Sequence, residues 1–307
     1  MTLFGLCASN KPGDFGLDTL ERIRPRYLVV MEGQAGAIVD VRRVLPGCRI
    51  ALRAEDAGKA WDPPAAGYTP EAYAEDFAQL MERWKPDIGI PWNEANIEWH
   101  SVFPDPNTCT PAQYDQFATW ADRFLRRYRL LTTVPIAWPA MSPGHRTDDF
   151  EESSRLLAPV ADRFDEIQFH FYYPDFSEWA GRRWQRELPF YAFSPKPKVI
   201  TECNREFNRN DAGDVARMVD DTRRFVTEAG PHFAAICYFI EYSESFPTMH
   251  SRGVGPLEDL FTQLAAGSES PAQEVIMPIP TIIEAVSRPV AQQGGQGPVD
   301  TEPTRQG

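Results

Sequence analysis

The sequence predicts an α/β chain folded as a single (β/α)8 TIM barrel with a short flexible C-terminal tail. Three observations predict it. Short apolar runs alternate with longer amphipathic segments throughout residues 1–267. Eight such pairs fit the ~250 residues typical of this barrel. No glycine-rich phosphate turn follows an early strand, as a doubly wound open sheet would normally show. Strands that alternate with helices pair in parallel through right-handed crossovers.

Each element has its own local signal. The first two strands are the apolar runs Leu3–Ala8 and Tyr27–Met31. A helix over Ala35–Val44 leads to the third strand, Arg49–Arg53. Thr69 as N-cap and Pro70 at the first helical position open the segment PEAYAEDFAQLMERW. The fourth strand, Ile88–Trp92, follows it. Thr110 and Pro111 open the next helix in the same way, and Gln113 completes a capping box. Then come the strand Thr133–Trp138, a helix over Asp148–Phe164, the strand Glu166–Phe171 and a helix over Ser177–Glu187. The last units are the strand Lys198–Thr201, a helix over Asp214–Ala229, the strand Ala234–Ile240 and a helix over Leu257–Ala265. From Ser268 onward Pro, Gln, Gly, Ser and Thr dominate. The patch Val275–Ile283 and the following EAVSR read as a strap or short helix, and the end as a flexible tail or linker. The domain reading is therefore a barrel at 1–267 and a polar strap and tail at 268–307.

The 307 residues are 42% hydrophobic and 24% charged, which excludes disorder for most of the chain. A formal net charge of −13 opposes a phosphate-neutralising surface, so nucleic acid and anionic membrane are not expected partners. No apolar run reaches the ~18 residues of a membrane span. The N-terminal MTLFGLCASN reads as a first strand rather than a signal peptide, so a cytoplasmic location is expected. The five cysteines, Cys7, Cys48, Cys109, Cys203 and Cys237, show no CxxC spacing and read as small buried thiols. The five histidines form no HxH or HExxH motif, against a zinc hydrolase. The oligomeric state stays open.

In such barrels the chemistry sits past the C-terminal ends of the strands. The fourth strand runs into DIGIPWNEAN, which brings Asn93 and Glu94 to its mouth, and the seventh into KVITECN, which brings Glu202 to its mouth. Strands three units apart in a ring of eight hold these two carboxyl groups over the cavity from opposite sides. That pairing suits glycosidic bond cleavage, where one carboxyl group protonates the leaving oxygen and the other attacks or activates water. Glu32, Glu55, Glu98, Glu206, Glu241 and Glu244 are competing acids near strand ends, Glu241 foremost because it follows a long apolar strand.

These motifs resemble clan A glycoside hydrolases, the retaining (β/α)8 glycosidases. The matching residues are WNEAN at 92–96, VITECN at 199–204 and HFY at 170–172. The resemblance implies that Glu94 is the general acid/base and Glu202 the nucleophile. It implies that Asn93 binds the sugar hydroxyl next to the anomeric carbon, and that Tyr172 and Arg53 support the nucleophile. His170 is read two ways, as a site residue or as a satisfied core histidine. The sequence departs from the family in two places. Ala95 stands where a proline usually follows the acid/base, and CYFIEYSES has no tryptophan at the end of strand eight. Tyr238, Phe239 and Tyr242 are the substitutes on hand for a sugar-site floor.

Sugar clefts use aromatic faces against C–H groups. Trp92, Trp99, Trp138, Tyr173 and Trp179 fall at or past strand ends and are candidates for that use. Trp84, Trp120 and Trp184 lie in helical patterns and read as packing residues. The function expected is a retaining glycosidase acting on a β-linked glycan, with carbohydrate as partner and neither metal nor organic cofactor. The alternative is a catalytically silent glycan-binding barrel in a larger assembly.

Overall fold

The computed structural model describes residues 2–9, 11, 14–55, 61–105, 109–142, 150–172 and 183–268. The chain divides into units Met1–Gln273 and Glu274–Gly307. All elements below belong to the first. The predicted strap and tail beyond residue 268, together with Tyr173 and Trp179, lie outside the described residues.

Eight parallel strands form one sheet: β1 (Leu3–Cys7), β2 (Tyr27–Met31), β3 (Arg49–Arg53), β4 (Ile88–Ile90), β5 (Ala137–Trp138), β6 (Glu166–Tyr172), β7 (Lys198–Asn204) and β8 (Ala235–Tyr238). Their order is β4-β3-β2-β1-β8-β7-β6-β5. A parallel bridge between Gly89 and Ile136 joins the two ends, and Gly89 N–H donates to Pro135 O at 2.8 Å. The ring is a barrel.

The helices between the strands are α1 (Leu17–Ile23), α2 (Ile38–Val44), α3 (Pro70–Trp84), α4 (Ala95–Glu98), α5 (Pro111–Tyr128), α6 (Phe150–Ala161), α7 (Arg183–Glu187), α8 (Ala212–Ala229) and α9 (Gly255–Gly267). The expected caps form. Thr69 Oγ1 accepts from Ala72 N–H at 3.2 Å, and Thr110 and Gln113 make the reciprocal capping box. α3 buries Tyr73, Ala74, Phe77, Ala78 and Met81, a stripe at helical spacing that packs on the barrel wall.

Both faces of the strands are buried, so each strand reads as an unbroken apolar run. Residues alternate in use. Leu28, Val30, Ile50 and Leu52 join the outer core beneath the helices, whereas Tyr27, Val29 and Ala51 fill the barrel interior with Cys7, Ala137, Ala235 and Cys237. The interior is narrow enough to need small residues. A Cβ on Gly5 would lie 2.6 Å from Cys237 Sγ and 2.7 Å from Tyr27 O. All five cysteines are free and buried. At the N-terminal ends of the strands Glu166 is fully buried, where it accepts from Tyr27 OH at 2.7 Å and pairs with Arg49 at 3.1 Å. That carboxyl group closes the barrel floor, away from the catalytic mouth.

Element ends differ from expectation by a residue or more at many places, β8 for one stopping at Tyr238 instead of Ile240, and some of the differences have a clear cause. β4 ends at Ile90, because Pro91 has no N–H for the ladder, and β5 shrinks to two residues after Pro135 for the same reason. The helix expected from Ala35 begins as a 3₁₀ turn at Glu32–Ala37 and becomes α-helical only from Ile38. β7 continues three residues past Thr201. The short helices α1 and α4 carried no capping side chain to announce them. No helix among the described residues is long and apolar enough to cross a membrane.

Candidate active site

Because all strands run parallel, Arg53, Glu94, His170, Tyr172 and Glu202 arrive at one rim of the barrel. The approach of Glu202 depends on a count. Ile200 pairs with Phe169, yet Glu202 pairs with His170, so Thr201 is an extra residue in β7. Val199 faces the interior and Ile200 the outer core. Strict alternation would therefore send Glu202 outward among the helices. The bulge shifts the phase by one and turns it inward beside His170.

Glu202 is buried and held on both oxygens. Arg53 Nη1 donates to Oε1 and the Tyr172 hydroxyl donates to Oε2. Burial alone would raise its pKa. The electrostatic influence of the neighbouring His170 and Arg53, with the hydrogen bonds from Tyr172 and Arg53, outweighs that and holds it below the usual carboxylate range. Arg53 stays charged although buried, because Glu202 more than offsets the desolvation. Burial pushes the Tyr172 hydroxyl well up, so it remains a donor.

Glu94 stands opposite. Its backbone has φ 22° and ψ 53°, a left-handed turn that β-carbon-bearing residues avoid, at the N-terminus of α4. Its Oε1 lies 2.7 Å from His170 Nδ1, and the same nitrogen is 3.6 Å from Glu202 Oε2. One ligand atom each from Glu94, His170 and Glu202 lie within 4.8 Å of one another. A divalent cation could use those three donors. The Arg53 guanidinium and the Tyr172 hydroxyl already occupy the Glu202 oxygens, so the donor set fits an ionised carboxylate held by hydrogen bonds better than a metal centre.

Asn93 is fixed at both ends of its amide. Oδ1 accepts from Arg53 Nη1 at 2.9 Å, and Nδ2 donates to Glu98 Oε1 at 2.9 Å. Asn96 adds a brace. Its amide exchanges two hydrogen bonds with the Ser142 backbone, at 2.7 and 3.2 Å, and so ties α4 to the segment after β5.

Glu98 is the competing acid that belongs to this network. Burial pushes its pKa from 4.5 up to about 7; the hydrogen bond from Asn93 opposes that rise and the negative Glu94 adds to it. The folded protein therefore binds this proton more tightly than the unfolded chain. The associated stability is fully present below pH ~4.5 and is lost as pH rises through about 7. Glu98→Gln keeps the acceptor for Asn93 and removes the ionisation. Thermal melts across pH should find the variant matching wild type at pH ~4 and exceeding it at pH ~8 by on the order of 3 kcal/mol. A constant difference across that range would refute the assignment of the titration to Glu98. Glu241, the strongest competitor from sequence, is instead a fully buried partner of Arg252, with two contacts at 2.7 Å.

The tryptophans correct an expectation. Trp92, Trp99 and Trp138 are at most 1% exposed and interlock edge to face, with ring centroids 5.4 Å apart for Trp92–Trp99 and 6.3 Å for Trp92–Trp138. They sit behind the site as packing and have no face free for a sugar. Tyr242 stacks on His250 at 4.9 Å with the Arg252 guanidinium over its ring, held to that side of the rim. The residue just past β8 that packs against this network is Phe239, whose ring meets Tyr172 at 5.9 Å and 88°.

Comparison of the whole barrel with solved structures gives matches over most of the chain. A subgroup I endo-β-1,3-glucanase of glycoside hydrolase family 128 from Amycolatopsis mediterranei, in complex with laminaritriose, is 15% identical with a TM-score of 0.54, over 86% of this chain and 100% of that one. A β-glycosidase is 10% identical with a TM-score of 0.58, over 89% and 98%. An endo-β-1,4-glucanase from Xanthomonas axonopodis pv. citri is 10% identical with a TM-score of 0.56, over 86% and 100%. The fold is the (β/α)8 barrel found in glycosidases. No family model and no curated protein matches the sequence.

Proposed function

We propose that the protein is a retaining glycoside hydrolase that cleaves a β-linked glycan, with Glu202 as nucleophile and Glu94 as general acid/base. The observation that carries this reading is the approach of the two carboxyl groups, with ligand oxygens no more than 4.8 Å apart. Direct attack on the anomeric carbon needs ~5–5.5 Å, whereas a water-mediated inversion needs ~6.5–9.5 Å. A separation beyond that range would have favoured a binding-only barrel.

In the first step Glu94 gives its proton to the glycosidic oxygen while Glu202 attacks the anomeric carbon, so the leaving alcohol departs and a glycosyl ester forms. In the second, Glu94 takes a proton from water, whose oxygen displaces Glu202. Arg53 and Tyr172 keep Glu202 ionised and aimed. Both also stabilise it as it departs. His170 Nδ1 shares a hydrogen bond with Glu94 and orients the carboxyl group between its two states. Asn93, fixed through its own two hydrogen bonds, presents its remaining amide hydrogen to the hydroxyl beside the anomeric carbon. The left-handed backbone at Glu94 fits a residue kept for chemistry rather than for stability. The solved neighbours act on β-1,3- and β-1,4-glucans, which supports a β-glucan as substrate class.

A 2-deoxy-2-fluoro β-glucoside with a good leaving group tests the mechanism. The intact mass should rise by one glycosyl unit, and the adduct should map to the peptide holding Glu202. Proton NMR of early product from a natural glucan should give the β anomer. An α anomer first, or an adduct on another residue, would overturn the reading.

A further inference from the structure

On the far side of Glu98 from Asn93 lies a depression of about 680 Å³, lined by Trp61, Asp62, the Ala65–Ala66 pair, Ile97, Glu98 and His100. We propose that it is a sugar subsite, in which the Trp61 indole takes the C–H face of a pyranose ring farther along the glycan. This rests on the glycosidase reading and extends it to a chain of several sugar units.

Three observations carry the proposal. Trp61 is 52% exposed, whereas Trp92, Trp99, Trp138 and Trp184 are buried and Trp84 and Trp120 are partly buried against the core, so it is the most open of the described tryptophans. Its loop is held in place. Asp62 Oδ2 accepts from Ser101 N–H at 2.8 Å and Oδ1 from Ala65 N–H at 3.1 Å, with the Ser101 hydroxyl as a third donor. A fixed platform loses little entropy on binding. The depression is also continuous with the catalytic network. Glu98 lines it, lies one helical turn after Glu94 and accepts from Asn93, which accepts from Arg53.

The chemistry favours a neutral pyranose. An indole face meets axial C–H groups, while the carboxyl groups of Asp62 and Glu98 and the His100 imidazole at the edge match a rim of hydroxyls. The two alanines leave the space open. Carboxylates on this wall repel a polyanionic glycan. A volume of this size exceeds what one ring needs and lies in the range of small-molecule pockets, ~300–1,000 Å³.

The test separates this subsite from the catalytic reading. Wild type and Trp61→Ala are assayed on an aryl β-glucoside and on laminari- and cello-oligosaccharides of increasing length. Binding of the same oligosaccharides is titrated into Glu202→Gln protein with and without the Trp61 change. Trp61→Ala should raise KM on the longer oligosaccharides about tenfold and weaken their binding alike. The aryl glucoside should be turned over as before, and Trp61→Phe should recover most of the loss. Equal loss on short and long substrates, or no loss on any, overturns the subsite. If wild type hydrolyses nothing yet Glu202→Gln protein binds oligosaccharides through Trp61, the subsite stands and the catalytic reading falls. Absence of any binding at all overturns the subsite as well.

Discussion

Glu202→Ala should abolish turnover of an aryl β-glucoside, with a loss on the order of 10⁴-fold or more in kcat. Glu202 is the carboxyl group held by Arg53 and Tyr172, whereas the neighbouring Glu94 is engaged by His170 and Glu98 by Asn93. Folding should survive the change. The variant does leave Arg53 and Tyr172 with unpaired donors in the rim, so its melting temperature must be measured beside its activity. Azide, small enough to enter the space vacated by the side chain, should restore turnover and yield the α-glycosyl azide. Rescue with the β product, or activity that never fell, would remove Glu202 from the nucleophile role.

The second large effect depends on the leaving group. Glu94→Ala removes the proton donor, which contributes roughly 10²–10⁴-fold to such steps. The full loss should appear on a glucan, whose sugar alkoxide is a poor leaving group. A dinitrophenyl glucoside departs without protonation, so its first step should survive nearly intact and the glycosyl enzyme should accumulate as a burst. A plot of rate against leaving-group acidity would then be steep for the variant and shallow for wild type. Equal losses on both substrates would indicate a structural role for Glu94, acting through the turn that it occupies.

Much of the barrel is legible in the residues because both determinants are local. β2 and β3 keep the bounds that their apolar runs suggest, and the Thr-Pro pairs at 69–70 and 110–111 start α3 and α5. Asn93, Glu94 and Glu202 follow apolar strands directly, so the parallel topology brings them to one rim. The rest depends on distant contacts. Whether Trp92 faces a ligand or Phe124 is settled by α5, at a ring distance of 5.3 Å, and not by its place after β4. The choice between Tyr242 and Phe239 turns on where the chain bends after β8. Trp61 had a signal that went unused: a tryptophan before Asp-Pro-Pro, in a segment with no helical or strand period, has no core face to occupy.

The extra residue at Thr201 makes competence a matter of parity. Deletion of Thr201 would leave Ile200 outward and Glu202 inward in an uninterrupted strand, so the carboxyl group would stay at the mouth. A strand that kept all its residues but paired without the bulge would turn Glu202 to the helix side and Cys203 to the mouth. A second insertion beside Thr201 would do the same. The glutamate codon alone is thus a poor marker of hydrolysis among barrels of this kind; the number of residues that separates it from the last regularly paired position counts as well.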